Sequence, residues 1–168
     1  MTGILLFAAT VTSLPKDAPI VEPFDYMRYL GKWYEIARFD FKFEKNLNNT
    51  TAEYAISKNG SFRVVNKGYD TLRQRWKKAV GKARFREKPI TAKLKVSFCG
   101  PFYGEYNVLM IDSEYKYALI AGKNLKYLWL LSREKTIPDH IRLRYLDEAK
   151  RLGYPIENLI WVQHNREE

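Results

Sequence analysis

The 168-residue chain has one cysteine, Cys99, and two histidines, His140 and His164. A single thiol excludes an internal disulfide, a cysteine-built zinc cage and a C-x-x-C redox pair. The histidines lie far apart without ligand-like spacing, so no metal site and no cofactor is expected. Acids are also scarce, 19 against 29 Lys and Arg, which leaves a formal charge of +10. Such an excess makes nucleic acid, an anionic membrane or an acidic ligand worth weighing as a partner. Aromatics are plentiful at 15%, with 12 Tyr, 9 Phe and 4 Trp, and that composition excludes a disordered chain.

The first fourteen residues, Met1 to Leu14, carry no charge and form an apolar run of the length of a signal-peptide core, with small residues near Ser13 suited to cleavage. The run is too short to span a bilayer. It lacks a positive n-region, and a buried first strand is the alternative reading. No cysteine follows it, so an acyl anchor is not expected. Residues Pro15 to Pro23 read as an extended linker. The expected organisation is a signal remnant and linker over residues 1–20 and one domain over residues 21–168.

From Trp33 onward, short runs rich in Val, Tyr, Phe, Ile and Trp alternate with turn residues, the pattern of antiparallel β structure. Eight strands are expected: Gly31–Phe39, Thr51–Ser57, Ser61–Tyr69, Trp76–Arg86, Thr91–Phe98, Gly104–Asp112, Tyr117–Gly122 and Tyr127–Arg133. Asn59-Gly60 suits a tight hairpin in which both residues need positive φ. Only the connection Asp40–Thr50 is long. One helix follows, with Thr136 as N-cap, Gly153 as stop and a stripe of Ile141, Tyr145, Ala149 and Leu152. A short closing strand is expected at Leu159–Gln163. Closure removes exposed strand edges, so the fold class is all-β: an eight-stranded antiparallel up-and-down barrel with one C-terminal α-helix packed outside. Such a barrel can be wide enough to hold one small ligand.

Alternation divides each strand between two faces. Lys82, Arg84 and Arg86 on the fourth strand and Lys93 and Lys95 on the fifth fall on the outer wall, opposite Leu94, Val96 and Phe98. The same phase points Phe39, Tyr54, Val64, Asn66, Tyr106, Val108 and Trp129 inward. This row mixes small, aromatic and polar groups as ligand pockets do, although the same residues equally suit a filled core. Between Thr71 and Lys95 lie ten cations and one acid, Glu87, so nearly all the net charge sits on one hairpin. It reads either as a solvated face or as a patch for anionic lipid headgroups.

Gly31-Lys32-Trp33-Tyr34-Glu35-Ile36-Ala37-Arg38 resembles the G-x-W motif of lipocalins, in wording close to the bacterial outer-membrane and apolipoprotein-D-like branch. Four further segments fall in the family's order: Asn66-Lys67-Gly68-Tyr69, Lys95-Val96-Ser97-Phe98 with Gly100-Pro101-Phe102, Asp112-Ser113-Glu114-Tyr115 with Ala118, and Leu131-Ser132-Arg133. The resemblance spans residues 25 to 163. It implies that Trp33 plugs the closed end of the barrel and that Arg133 stacks on it, a contact of ~1 to 2 kcal/mol when shielded. It also implies a non-catalytic carrier of fatty acids, lysophospholipids or similar amphiphiles, periplasmic, outer-membrane associated or secreted. Leu94, Val96, Phe98, Val108 and Trp129 would bury the tail, while Tyr54, Asn66 and Tyr106 would bond the headgroup or trapped water. The alternatives are a lipid-directed enzyme and a nucleic-acid-binding barrel. No G-x-S-x-G elbow supports the enzyme. The nucleic-acid reading needs aromatics beside cations on one face, whereas here they lie on opposite faces.

Overall fold

The computed structural model describes residues 13–168. The expected leader falls almost wholly outside the described residues. A short helix, α1 (Tyr26–Tyr29), precedes eight barrel strands: β1 (Gly31–Arg38), β2 (Leu47–Ile56), β3 (Phe62–Asp70), β4 (Arg75–Phe85), β5 (Lys93–Cys99), β6 (Phe102–Ile111), β7 (Tyr117–Ala121) and β8 (Leu128–Ser132). Helix α2 (Asp139–Arg151) and a two-residue strand, β9 (Ile160–Trp161), follow. Each strand pairs antiparallel with the next, and β1 pairs with both β2 and β8 to close the barrel. Strand β9 adds to β1 on the outside. No described helix is long and apolar enough to cross a membrane.

Most elements fall where the residue pattern puts them, and three differ for physical reasons. Strand β2 begins at Leu47 rather than Thr51, so the long loop shrinks to residues 39–46. Left-handed Asn46 and Asn49, at φ 64° and 56°, let the chain bend there and still pair with β3. Helix α2 starts at Asp139 because Pro138, at φ −60° and ψ 142°, is still extended. The Asn59-Gly60 turn has the positive φ values expected, 71° and 68°, but Lys58 joins it as a third loop residue.

Two apolar clusters share the barrel wall. Inside, Trp33, Val64, Ala83, Leu94, Val108 and Ile120 form one core. Outside, Ile36, Ala37, Leu119, Leu128 and Leu130 pack beneath Tyr145 and Ala149 of α2. The Tyr145 hydroxyl donates to the Tyr117 carbonyl at 3.2 Å and fixes the helix on the sheet.

The segment before β1 closes one barrel end. The backbone N–H of Val21 donates to the Val108 carbonyl, and that of Ala92 donates to the Val21 carbonyl, each at 3.0 Å. Asp25 caps α1 by accepting from the N–H groups of Met27 and Arg28. That end is therefore sealed, and the loops β1–β2, β3–β4, β5–β6 and β7–β8 surround the opposite, open end.

Candidate functional site: the barrel lumen

The sealed end is built around Trp33, which is fully buried and donates its indole N–H to the Tyr29 carbonyl at 2.8 Å. The Arg133 guanidinium carbon lies 3.8 Å from the Trp33 ring centroid, the stack implied by the sequence motif. Arg133 also donates to the carbonyls of Lys32, Arg28, Tyr29 and Tyr115, tying four chain segments across the barrel floor. These two residues plug and brace the barrel.

Above the plug sit three tyrosines. The Tyr106 hydroxyl lies 2.5 Å from that of Tyr29 and 2.9 Å from that of Tyr54. Burial raises the pKa of all three phenols, so they remain neutral hydrogen-bonding groups. The cavity among Tyr29, Tyr54, Phe62, Ala83, Leu94 and Tyr106 is barely large enough for one water. The lower half of the barrel is thus a filled core.

The upper half is open. Strand pairing places Ala52 opposite Asn66, Asn66 opposite Ala79, and Gly104 opposite Val96 on the inner face. These residues are half-buried or exposed although they point toward the barrel axis. At Gly104 an added Cβ would find only the Val96 carbonyl oxygen within 4 Å, at 3.9 Å. The Asn66 side-chain oxygen is buried there without a hydrogen-bond partner. A buried acceptor left without a partner carries a desolvation cost that a donor reaching it would relieve.

A charged cluster crosses this upper half. Arg38 is 1% exposed, and it donates to the Glu35 carboxylate at 2.9 Å and to the carbonyls of Glu44 and Leu47. Its Nε lies 3.4 Å from the Glu44 carboxylate. Thr50 donates to Glu35 at 3.1 Å, and the Trp129 indole N–H donates to Glu44 at 3.2 Å. Two acids share one guanidinium in a desolvated place, so one of them keeps its proton. Burial pushes both carboxyls up; Glu35 has the closer Arg38 contact and the Thr50 hydroxyl, while Glu44 rises to about 8.

The ten residues assigned to the inner row divide accordingly. Tyr54, Val64, Leu94 and Val108 are buried in the inner core. Asn66, Val96, Tyr106 and Trp129 are half-buried on the inner face, and Phe98 stands at the mouth, 43% exposed, with its ring over Gly81. Phe39 is misassigned. A bulge between Glu35 and Ala37 shifts the β1 register by one, so Arg38 turns inward and Phe39 lies on the outer side, stacked on Tyr154 at 5.9 Å. That bulge also hid Arg38 as an interior residue, and Glu44 was missed because its loop folds back over Trp129. On the outer wall, Arg86 pairs with Glu105 and Lys93 with Glu87, while Lys82 and Lys95 flank the Tyr103 ring. Arg84 is exposed.

A closed eight-stranded barrel, plugged at one end by a Trp–Arg stack and open at the other, defines a small-ligand carrier of the lipocalin type. The chain belongs to that family: a Lipocalin-like domain matches residues 24–164. It is 48% identical to outer membrane lipoprotein Blc of Citrobacter freundii over 96% of this chain and 91% of that protein. Apolipoprotein D of Rattus norvegicus is more distant, 34% identical over 71% of this chain and 66% of that protein. Among solved structures, insecticyanin from the tobacco hornworm Manduca sexta superposes with a TM-score of 0.72 at 19% identity, covering 88% of this chain and 84% of that one. At that identity the last match speaks for the fold alone. The protein binds small hydrophobic ligands.

Proposed function

We propose that the protein carries an elongated amphiphile, a fatty acid or lysophospholipid, in the cell envelope, with the tail in the upper lumen. The observation that carries this reading is the open inner face around Ala52, Ala79, Val96 and Gly104 in a barrel whose lower half is full. Val96 and Trp129 supply apolar wall, and each methylene they cover adds ~0.8 kcal/mol. Asn66 offers its unmet oxygen to a headgroup donor, and the Tyr54 and Tyr106 hydroxyls form the polar floor. The envelope assignment follows the names of the relatives, outer membrane lipoproteins. The role is binding rather than catalysis: one oxygen of Glu35 is engaged by Arg38 and Thr50, and one oxygen of Glu44 by Trp129 beside Arg38.

Gly104→Leu tests the lumen directly. The new side chain enters open space at a residue with ordinary backbone angles, so the fold survives. Titration with a fluorescent long-chain fatty acid should show binding to the parent and a loss of roughly tenfold or more in the variant, with unchanged circular dichroism. Equal affinity in the two proteins would move the ligand out of the upper lumen.

A further inference from the structure

The open end carries a second feature, independent of the lumen. Three of its four loops hold a large apolar side chain in solvent: Phe43 is 79% exposed in β1–β2, Leu72 76% in β3–β4 and Phe102 76% where β5–β6 joins β6. Phe98, on the strand that leads into the β5–β6 turn, adds a half-exposed ring. Folded chains rarely leave such tips wet on three successive loops without a partner for them.

The exposed charges around the tips are mostly positive. Lys42, Lys45, Arg73, Arg75, Lys123 and Lys126 are exposed on or beside these loops, and among the described residues the exposed acid there is Asp40. Glu44 is turned into the barrel, and Asp70 is buried against Lys77 at 2.7 Å. The sealed end differs. Its exposed apolar residues, Met27, Ile56 and Ile90, are only about half exposed, and its exposed charges are of both signs, Asp25, Glu87 and Glu114 beside Arg28, Lys88 and Lys116. Strand β4 also outruns β5, whose pairing with it is confined to Lys82–Phe85, so the β3–β4 hairpin projects above the rim with Leu72 at its tip.

Apolar tips flanked by six exposed cations and one exposed acid match the interface of an anionic bilayer: aromatic and leucine side chains enter the acyl boundary while Lys and Arg stay with the phosphates. We propose that the open mouth is a docking surface for an anionic phospholipid membrane, with Phe43, Leu72 and Phe102 as its inserted tips. The membrane contact is then the rim rather than the β4–β5 wall of Lys82, Arg84, Arg86, Lys93 and Lys95, where two of five cations are already paired. Docked this way, the lumen opens onto lipid, and an amphiphile enters or leaves without crossing water.

The native Cys99 gives the assay its reporter, because it is the chain's sole thiol and is exposed at the β5–β6 turn beside the tips. Full-length protein labelled there with a polarity-sensitive fluorophore is mixed with phosphatidylcholine vesicles, with and without ~30% phosphatidylglycerol, and unlabelled protein is sedimented with the same vesicles. The anionic vesicles should shift the emission to the blue and pull the protein down; neutral vesicles should do so far less. The paired substitution Leu72→Ser with Phe102→Ser alters side chains outside the core and should weaken partition by roughly tenfold or more, whereas Lys82→Gln with Arg84→Gln should leave it within about twofold. Undiminished partition of the serine variant, an equal loss in the wall variant, or no preference for anionic lipid would overturn the proposal. So would absence of vesicle binding together with self-association that the serine variant abolishes, since a second copy would then cover the tips. Fatty-acid titration without vesicles reads the lumen separately, so failure of docking and failure of the carrier reading remain distinguishable.

Discussion

Replacing Glu44 with glutamine removes the titrating group from the lumen while keeping its shape. In the folded protein this carboxyl is held up to about 8 by burial and by the nearby Glu35, against an ordinary value of 4.5. A raised folded-state pKa means that the folded protein holds the proton more tightly than the unfolded chain. Its contribution is therefore full below about pH 4.5 and is lost as the pH climbs through about 8, at up to about 1.4 kcal/mol per pH unit. Over that window the ceiling is about 5 kcal/mol, but the loop has a cheaper escape than global unfolding. It is held by two Arg38 hydrogen bonds to the Glu44 and Leu47 carbonyls and by Phe41 against Trp129 at 5.7 Å. Once ionised, Glu44 can lift out with its loop at a cost of about 2 kcal/mol, and that figure caps the effect. Urea unfolding near pH 5, 7 and 9 should show parent and Glu44→Gln nearly equal at the acid end, and the variant about 2 kcal/mol more stable at the alkaline end. Trp129 emission should redden in the parent alone as the loop leaves. Parallel stability curves, or a variant that loses more than the parent on the alkaline side, would refute the shared-guanidinium account.

That cluster also marks the boundary of what the residue pattern reveals. Barrel, strand order, helix and plug are legible because each repeats a local rule: period-two alternation, turn residues at even intervals, and a G-x-W opening followed much later by Ser132-Arg133. The inner row is legible wherever a strand keeps its phase, as β3 and β5 do through Val64, Asn66, Leu94 and Val96. It fails at β1, where one extra residue between Glu35 and Ala37 exchanges Arg38 for Phe39. Nothing in the amino acids at a bulge need announce it, because the cause lies in the partner strand and in the need to curve the sheet. The division of the barrel into a filled lower half and an open upper half is illegible for a different reason. Tyr54 and Tyr106 follow the same alternation as Val96 and Gly104; what separates them is α1 and the preceding segment pressing into one end. A segment read as linker thus decides how much of the inner row is core.

The remaining predictions concern the bracing of the floor. Arg133→Ala removes the Trp33 stack and the donors to four carbonyls, and should cost about 2 to 4 kcal/mol by urea unfolding; Arg133→Lys keeps the charge without the planar fork and should recover less than half of it. A cost below about 0.5 kcal/mol would make the stack ornamental. The tyrosine triad offers the sharper test because its hydroxyls form a chain rather than a pair. Tyr106 stands in the middle, so Tyr106→Phe strips the Tyr29 and Tyr54 hydroxyls of their partner at once, whereas Tyr29→Phe leaves the Tyr54–Tyr106 bond in place. With each buried orphan costing about 1 to 3 kcal/mol, the central change should destabilise by about 2 to 4 kcal/mol and the terminal one by about 1. The double variant Tyr29→Phe with Tyr106→Phe should cost less than the sum of the two, because one orphan is removed along with its partner. Equal costs for the two single variants would mean that the freed hydroxyls bind water in the small cavity beside them, making the floor a solvated surface rather than part of the core.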